Sequence, residues 1–416
     1  MSDPADVLFD HEAEAPSNWS VRQDALAREA VRIAWEDTGE GRARLERCGM
    51  DPQQFGGVSD LKSVQVLSKD TLPELQAQDP PFGGMLAVPV ASLKRVYQSP
   101  GPIMDPEGQG VDFWRMAPAA WAAGFRAGDV VLNTLSYHLT PGGHMLDAGL
   151  RHVGCVVIPG GVGNTADQLR MVVAAGATGY VGTPQFLRTM VERARQEGLT
   201  HSIERALVTG APLPDSLRAE LQDEFGISVY QAYGTADAGT LGYECREKEG
   251  WHVAPGVVVE ILTPGNGDPV ATGDPGEVVV TIPNPTYPLV RFGTGDLSAF
   301  HECPCRCDRT SPRLVGFLGR VGEGVKVKGM FVHPRQLAEA LASDPTVARF
   351  QAIVTADGHN DVLTVQVEPS SNAKPEPEAL QERLEAAVKL RLTLEVVPAG
   401  AIEEGGAPLV DRRGGS

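Results

Sequence analysis

Between residues 117 and 184 the chain alternates helix-forming stretches with short apolar runs, and this alternation restricts its fold more than any other feature. The runs 129–133 (DVVLN), 155–159 (CVVIP) and 178–184 (TGYVGTP) read as strands, and 144–153 and 168–175 read as helices. Strands spaced by helices in this way form a largely parallel sheet covered on both faces. Further on, 257–262 and 276–282 are rich in β-branched residues and are joined through Pro-Gly-Asn-Gly-Asp, so they predict a small antiparallel unit. Past Arg320 the pattern restarts as strand 325–328, helix 335–342, strands 350–355 and 362–368, helix 376–390 and strand 394–397. The expected fold class is α/β: a large N-terminal domain of mixed sheets and helices with a small antiparallel β unit, over 1–319. A small, mobile α+β C-terminal domain follows over 320–416. Upstream, 20–48 reads as one helix, and the Pro/Gly cluster from Asp79 marks a loop.

Charge removes one class of partner. Lys and Arg number 36 against 54 Asp and Glu, a formal net charge of −18, whereas nucleic-acid phosphates require clustered cations. A small anion held by backbone donors stays compatible with that field. No run of apolar residues is long enough for a membrane span, and the acidic N-terminus lacks the basic and apolar parts of a signal peptide. The expected location is cytoplasmic. Of the 6 cysteines, Cys303, Cys305 and Cys307 cluster, which in a reducing compartment suggests metal rather than disulfides.

Four segments carry chemistry. A strand ending in Gly210-Ala211-Pro212 offers a backbone turn on which a flat ring can lie. Tyr233-Gly234-Thr235-Ala236-Asp237 adds a stacking face and a hard oxygen ligand. Asp296 follows a Gly turn, as do carboxylates that accept ribose hydroxyl protons. Arg320, with Gly322, Lys326 and Lys328 after it, stands at a joint where an Arg can bind ribose or phosphate. Taken singly, these are turn glycines, a core tyrosine and a basic strand.

In this order they resemble the adenylate-forming superfamily, in its phenylacetate–CoA ligase branch, and the resemblance runs from about Pro80 to Arg413. It implies that a carboxylate attacks the α-phosphate of ATP to give an acyl-adenylate, and that coenzyme A then displaces AMP. By that resemblance Gly210, Ala211, Pro212 and Tyr233 frame the adenine, and Gly234 and Thr235 are further cofactor-binding residues. Asp237 binds Mg²⁺, Asp296 and Arg320 hold the ribose, and Gly322 sits at the pivot of a rotating C-terminal domain. Asp237 and Lys326 are the catalytic candidates. A small aryl or acyl acid is expected near Tyr137, His138, Gly142, Gly161 and Asn164, with Tyr137 and Phe186 as walls of an apolar pocket. A homodimer is compatible with the family.

Cys245 and His252, followed some fifty residues on by the Cys303–Cys307 group, suit tetrahedral Zn²⁺. The branch often has a Cys-Pro-Cys-Gly-Arg-Thr element here, which favours Cys245, His252, Cys305 and Cys307 with Cys303 spare. Cys303 with Cys305 is the competing pair, and reduced thiols without metal are the plain alternative.

Two departures bear on activity. The phosphate loop of the family maps to 96–103, where Ser99 and Gly101 remain but Pro100 and Pro102 carry no N–H and no lysine follows. Near the C-terminus Gly406 stands where the family has a lysine that stabilises charge during adenylation. Besides an acid–CoA ligase with weakened adenylation, the sequence is compatible with an adenylyltransferase or an amide- or heterocycle-forming relative. A non-catalytic nucleotide or acyl binder is the remaining alternative.

Overall fold

The structure is a computed structural model that describes residues 7–100, 102–307, 309–322, 324–327, 330–342, 344–357, 360–370, 373 and 375–413. The chain forms two compact units, Met1–Thr294 with Ala299–Gly316, and Gly295–Ser298 with Phe317–Ser416. The joint expected at 319–320 lies just inside the second unit.

In the first unit the main sheet runs in the order Val156–Pro159, Val130–Asn133, Gly179–Gly182, Arg205–Val208, Ser228–Thr235, Gly239–Tyr243, Trp251–Val253, Arg313–Leu314. The strands up to Ser228–Thr235 are parallel, and those beyond it are antiparallel. The parallel half is legible because its strands are short apolar runs separated by helices. Helix Gly142–Val153 ends on Gly154 in the left-handed region, and Pro184 opens helix Pro184–Gln196. Leu169, Val172, Leu187, Met190 and Leu221 from the helices pack with Leu132, Tyr180, Ala206 and Val229 from the strands. That burial is the main driving force for this half.

A second sheet orders Leu67–Ser68, Leu289–Ser298, Gly276–Ile282 and Val258–Leu262. The expected antiparallel pair 257–262/276–282, observed as Val258–Leu262 with Gly276–Ile282, is therefore part of a larger sheet. The N-terminal helix covers it, with Ala27, Val31 and Ala34 packing with Val258 and Val290. Instead of one helix over 20–48 there are two, Pro16–Asp37 and Gly39–Arg47. Thr38 is extended (φ −126°, ψ 143°); its hydroxyl donates to Ala34 O at 2.7 Å and accepts the Gly41 N–H at 3.1 Å. This is an N-cap that helix propensity averaged over a window hides.

The second unit has a four-stranded sheet in the order Thr393–Val396, Asn360–Pro369, Val347–Asp357, Leu409–Asp411. Helices Pro334–Ala342 and Pro377–Val388 bury Leu337, Leu341, Leu380 and Leu384 with strand residues Ala352, Val354, Val365 and Val367. A hairpin of Val325–Val327 with Met330–Val332 precedes it. Among the described residues no helix is long and apolar enough to cross a membrane.

Candidate functional site

Parallel strands present their carboxyl ends to one edge of a sheet, where ligands of open α/β folds bind. Most of the first unit's candidates follow those ends. Tyr137, His138 and Gly142 follow Val130–Asn133; Gly161 and Asn164 follow Val156–Pro159; Phe186 lies in the helix after Gly179–Gly182; Gly210, Ala211 and Pro212 follow Arg205–Val208. Backbone bonds tie the loops to neighbouring strands: Gly161 N–H donates to Asn133 O at 3.0 Å, and Thr209 N–H to Gly182 O at 3.0 Å. Tyr233, Gly234 and Thr235 end Ser228–Thr235, with Asp237 next. Gly234 is a tight place, since a Cβ there would come within 2.4 Å of Gly239 O. Thr235 Oγ1 accepts the Ala238 N–H at 3.1 Å and so shapes the turn that presents Asp237.

Asp237 lies in a cluster that the sequence reading missed. Lys69 Nζ is 2.5 Å from its Oδ2, with the Asp237 side chain 1 % exposed. Asp105 is buried beside it: burial, then the charge of Asp237, pushes the Asp105 carboxyl up to about 7, against the pull of the Lys69 charge. Ser99 Oγ, Asp105 Oδ2 and Asp237 Oδ1 are all buried and make no hydrogen bond among the described residues. Hard oxygens without partners suit a divalent cation. Burial, then the charges of Asp237 and Asp105, also raises the Tyr287 phenol above its usual range. Lys69 has no local signature. It arrives because Leu67–Ser68 pairs in parallel with Phe292 and Gly293.

The expected phosphate loop is a hairpin. Arg95–Ser99 pairs with Ile103–Glu107 up to Ser99↔Ile103. Gly101 lies outside the described residues. The period-2 inward face of Ile103–Glu107 carries Ile103, Asp105 and Glu107, all buried. Glu107 accepts the Tyr97 hydroxyl at 2.7 Å and pairs with Arg95 at 2.8 Å and Lys94 at 3.0 Å.

Around Tyr137 the lining is more polar than the expected apolar pocket. Its hydroxyl accepts from Asn133 Nδ2 at 2.9 Å and donates to Asp147 at 3.2 Å. His144 stands edge-on to Tyr137, with centroids 4.9 Å apart, and tilted against Tyr97. Burial, then the Asp147 charge, raises the Tyr137 phenol, whereas burial, then Arg95, lowers the His144 imidazole. His138 is exposed. Phe186 packs on the core of the main sheet. Asn164 is the left-handed residue that opens helix Thr165–Ala175. Asn133, His144 and Asp147 were absent from the sequence reading because single polar residues in apolar periodicity carry no distinguishing signal.

In the second unit Asp296 and Arg320 face each other across adjoining strands, with Arg320 Nε donating to Asp296 Oδ1 at 3.1 Å. Gly322 has φ +90°, with nothing within 4 Å of an added Cβ. Lys326 lies in the strand Val325–Val327. Gly406 N–H donates to Glu403 O at 3.1 Å.

Cys245, His252, Cys305 and Cys307 bring their ligand atoms within 4.8 Å of one another, while Cys303 is exposed and outside the group. Cys245 Sγ is 3.6 Å from Cys305 Sγ, and Cys307 Sγ is 3.2 Å from His252 Nε2. Those are about the edges of a tetrahedron with bonds near 2.3 Å to sulfur and 2.0 Å to nitrogen. His252 Nδ1 lies 3.3 Å from Ser311 O and 3.2 Å from its Oγ, the outer contact that orients a ligating imidazole. Hydrogen bonding from Cys245, with a further contribution from His252, holds the Cys307 thiol well below its usual range.

Comparison with known proteins places these features in a family. Residues 110–286 match the AMP-binding enzyme family, and residues 329–407 match the AMP-binding enzyme C-terminal domain. The phenylacetate-coenzyme A ligase of Thermus thermophilus is 28% identical over 382 residues, covering 88% of this chain and 85% of its own. That of Aromatoleum evansii is 29% identical, covering 86% and 85%. Among solved structures, an open conformation of 2-hydroxyisobutyryl-CoA ligase in complex with 2-HIB-AMP and CoA superposes with a TM-score of 0.88 at 22% identity, over 96% of this chain and 93% of that one. The chain belongs to the AMP-binding enzymes, and over most of its length it is similar to phenylacetate–coenzyme A ligases.

Proposed function

We propose that the protein is an AMP-forming acid–coenzyme A ligase acting on a small aryl or acyl acid. The observation that carries this reading is the set of Gly210–Pro212 turn, Tyr233 and Asp237 at the carboxyl ends of neighbouring strands, in a chain with both family matches. In the first half-reaction a substrate carboxylate oxygen attacks the α-phosphorus of ATP, and the bond to pyrophosphate breaks. In the second, the thiol sulfur of coenzyme A attacks the acyl carbonyl carbon, AMP leaves, and the thiol proton is lost.

The turn and Tyr233 hold the adenine, and Asp296 and Arg320 are assigned to the ribose. Asp237, with its unpaired Oδ1, would hold Mg²⁺, which when bound neutralises phosphate charge. Lys69 brings a positive charge to Asp237 that Pro100 and Pro102 do not provide. Tyr137, with Asn133, Asp147 and His144 around it, orients the acid. Cys245, His252, Cys305 and Cys307 would hold a structural zinc, since the protein fills all four positions.

Pro100 and Pro102, next to the paired residues Ser99 and Ile103, favour slow adenylation as a second reading, because neither has a backbone N–H to offer phosphate. The test is pyrophosphate release with ATP and Mg²⁺ across aryl and acyl acids, with and without coenzyme A. Release that depends on one acid, with a thioester only when coenzyme A is present, supports the ligase. Absence of release from every acid, despite AMP binding, would overturn it.

A further inference from the structure

Trp251 and His252 are consecutive on the strand Trp251–Val253, and side chains alternate along a strand, so the two leave from opposite faces of the sheet. On one face Trp251 stacks on Tyr233, with ring centroids 5.0 Å apart and planes 16° apart. Both rings are buried. Gly242 stands between them in the register, opposite Tyr233 on one side and Val253 on the other. A Cβ at Gly242 would come within 3.0 Å of Trp251 Cβ, so the bare backbone at this position is what lets the indole cross to Tyr233. On the other face His252 meets Cys307 and Ser311.

The strand has three residues, pairing through His252↔Tyr243 and Val253↔Gly242 on one side and Trp251↔Leu314 and His252↔Arg313 on the other. So short a ladder fixes its own position weakly. The Cys/His cluster ties the same segment to Cys245 and to the 305–307 loop.

We propose that Trp251 is a positioning residue for the nucleotide: it backs the Tyr233 ring on which adenine stacks, and the metal cluster holds it there through His252. The proposal rests on the zinc and adenylate assignments above. A tyrosine ring on its own turns about two torsions. With Trp251 against one face the ring plane is set before the nucleotide arrives, and the ordering cost of stacking on the other face falls. The cluster, a structural element by its ligand count, thereby acts on nucleotide affinity.

The test uses the full-length protein as purified, with Trp251→Leu, Trp251→Phe and Gly242→Ala. Titration calorimetry gives the Kd for AMP and for ribose 5-phosphate, which lacks the base, and metal analysis gives zinc per chain. Trp251→Leu should weaken AMP binding about tenfold, the scale of a damaged base–aromatic stack. Zinc content and ribose 5-phosphate binding should stay as in wild type, and Trp251→Phe should recover most of the loss. Gly242→Ala, which presses on the indole and leaves both rings in place, should also weaken AMP selectively, as should removal of zinc by a mild chelator. Equal AMP affinity in Trp251→Leu and wild type, or parallel loss of AMP and ribose 5-phosphate, would overturn the proposal. A wild type without zinc sinks the metal half alone, and a wild type that does not bind AMP sinks the ligase reading itself.

Discussion

The ammonium of Lys69 rests 2.5 Å from Oδ2 of Asp237, although 168 positions separate the two in sequence. The carboxylate expected to face Mg²⁺ therefore already has a cation against it, next to a second buried acid, Asp105. Lys69→Met should lower acid-dependent ATP–pyrophosphate exchange about a hundredfold, the usual cost of removing a preorganised stabiliser of transition-state charge. Thioester formation from a preformed acyl-adenylate should persist. Comparing the two half-reactions checks this, and equal losses in both would count against a role in adenylation.

By the family resemblance a lysine is expected at the position of Gly406, and the surroundings there leave room for a side chain with a small adjustment. An added Cβ would lie 3.1 Å from Glu403 O. Gly406→Lys should raise pyrophosphate exchange by at least about tenfold if the charge reaches the phosphates. The thioester half-reaction should not change. Exchange that stays at the wild-type rate would show that the restored lysine does not act in adenylation.

The hairpin at 95–107 should make stability depend on pH. Burial works against the Glu107 carboxylate, but Arg95, Tyr97 and Lys94 outweigh it and hold its pKa below the usual range. A depressed folded-state pKa contributes stability above the unfolded value, about 4.3, and that stability is lost as pH falls through the folded value. Glu107→Gln should accordingly have a lower Tm than wild type at pH 7, and the gap should close as the pH falls below about 4. Thermal melts of both proteins across that range decide it. A gap that does not change with pH would assign the effect to packing instead of charge.

Zinc should follow the four clustered ligands. Cys307→Ser should abolish metal retention and lower Tm, because binding energy at a structural site is folding energy. Cys303→Ser should leave both unchanged, since Cys303 is exposed and outside the cluster. Metal analysis with melting curves on the two variants separates them. Equal zinc loss in both would return Cys303 to the ligand set.

What could be read in the chain alone is what depends on neighbours in sequence. The parallel strands were legible because they are short local apolar runs between helices whose ends are marked by residues such as Gly154 and Pro184. The Gly210–Pro212 and Tyr233–Asp237 turns were legible because their residue types are required at fixed spacing. Thr38 shows the limit even there, since one cap divides a stretch whose average propensity is helical.

Tertiary structure alone decided which distant side chains meet. Lys69 reaches Asp237 through a two-residue parallel pairing with the strand at Phe292. Asp105 becomes a perturbed acid only because folding buries it beside Asp237. Trp251 stacks on Tyr233 across a glycine that in sequence reads as an ordinary strand residue. Periodicity and propensity act over a few residues, whereas charge pairing, desolvation and ring stacking act over a few ångströms. Only the folded chain turns sequence distances of tens to hundreds of positions into contacts on that scale.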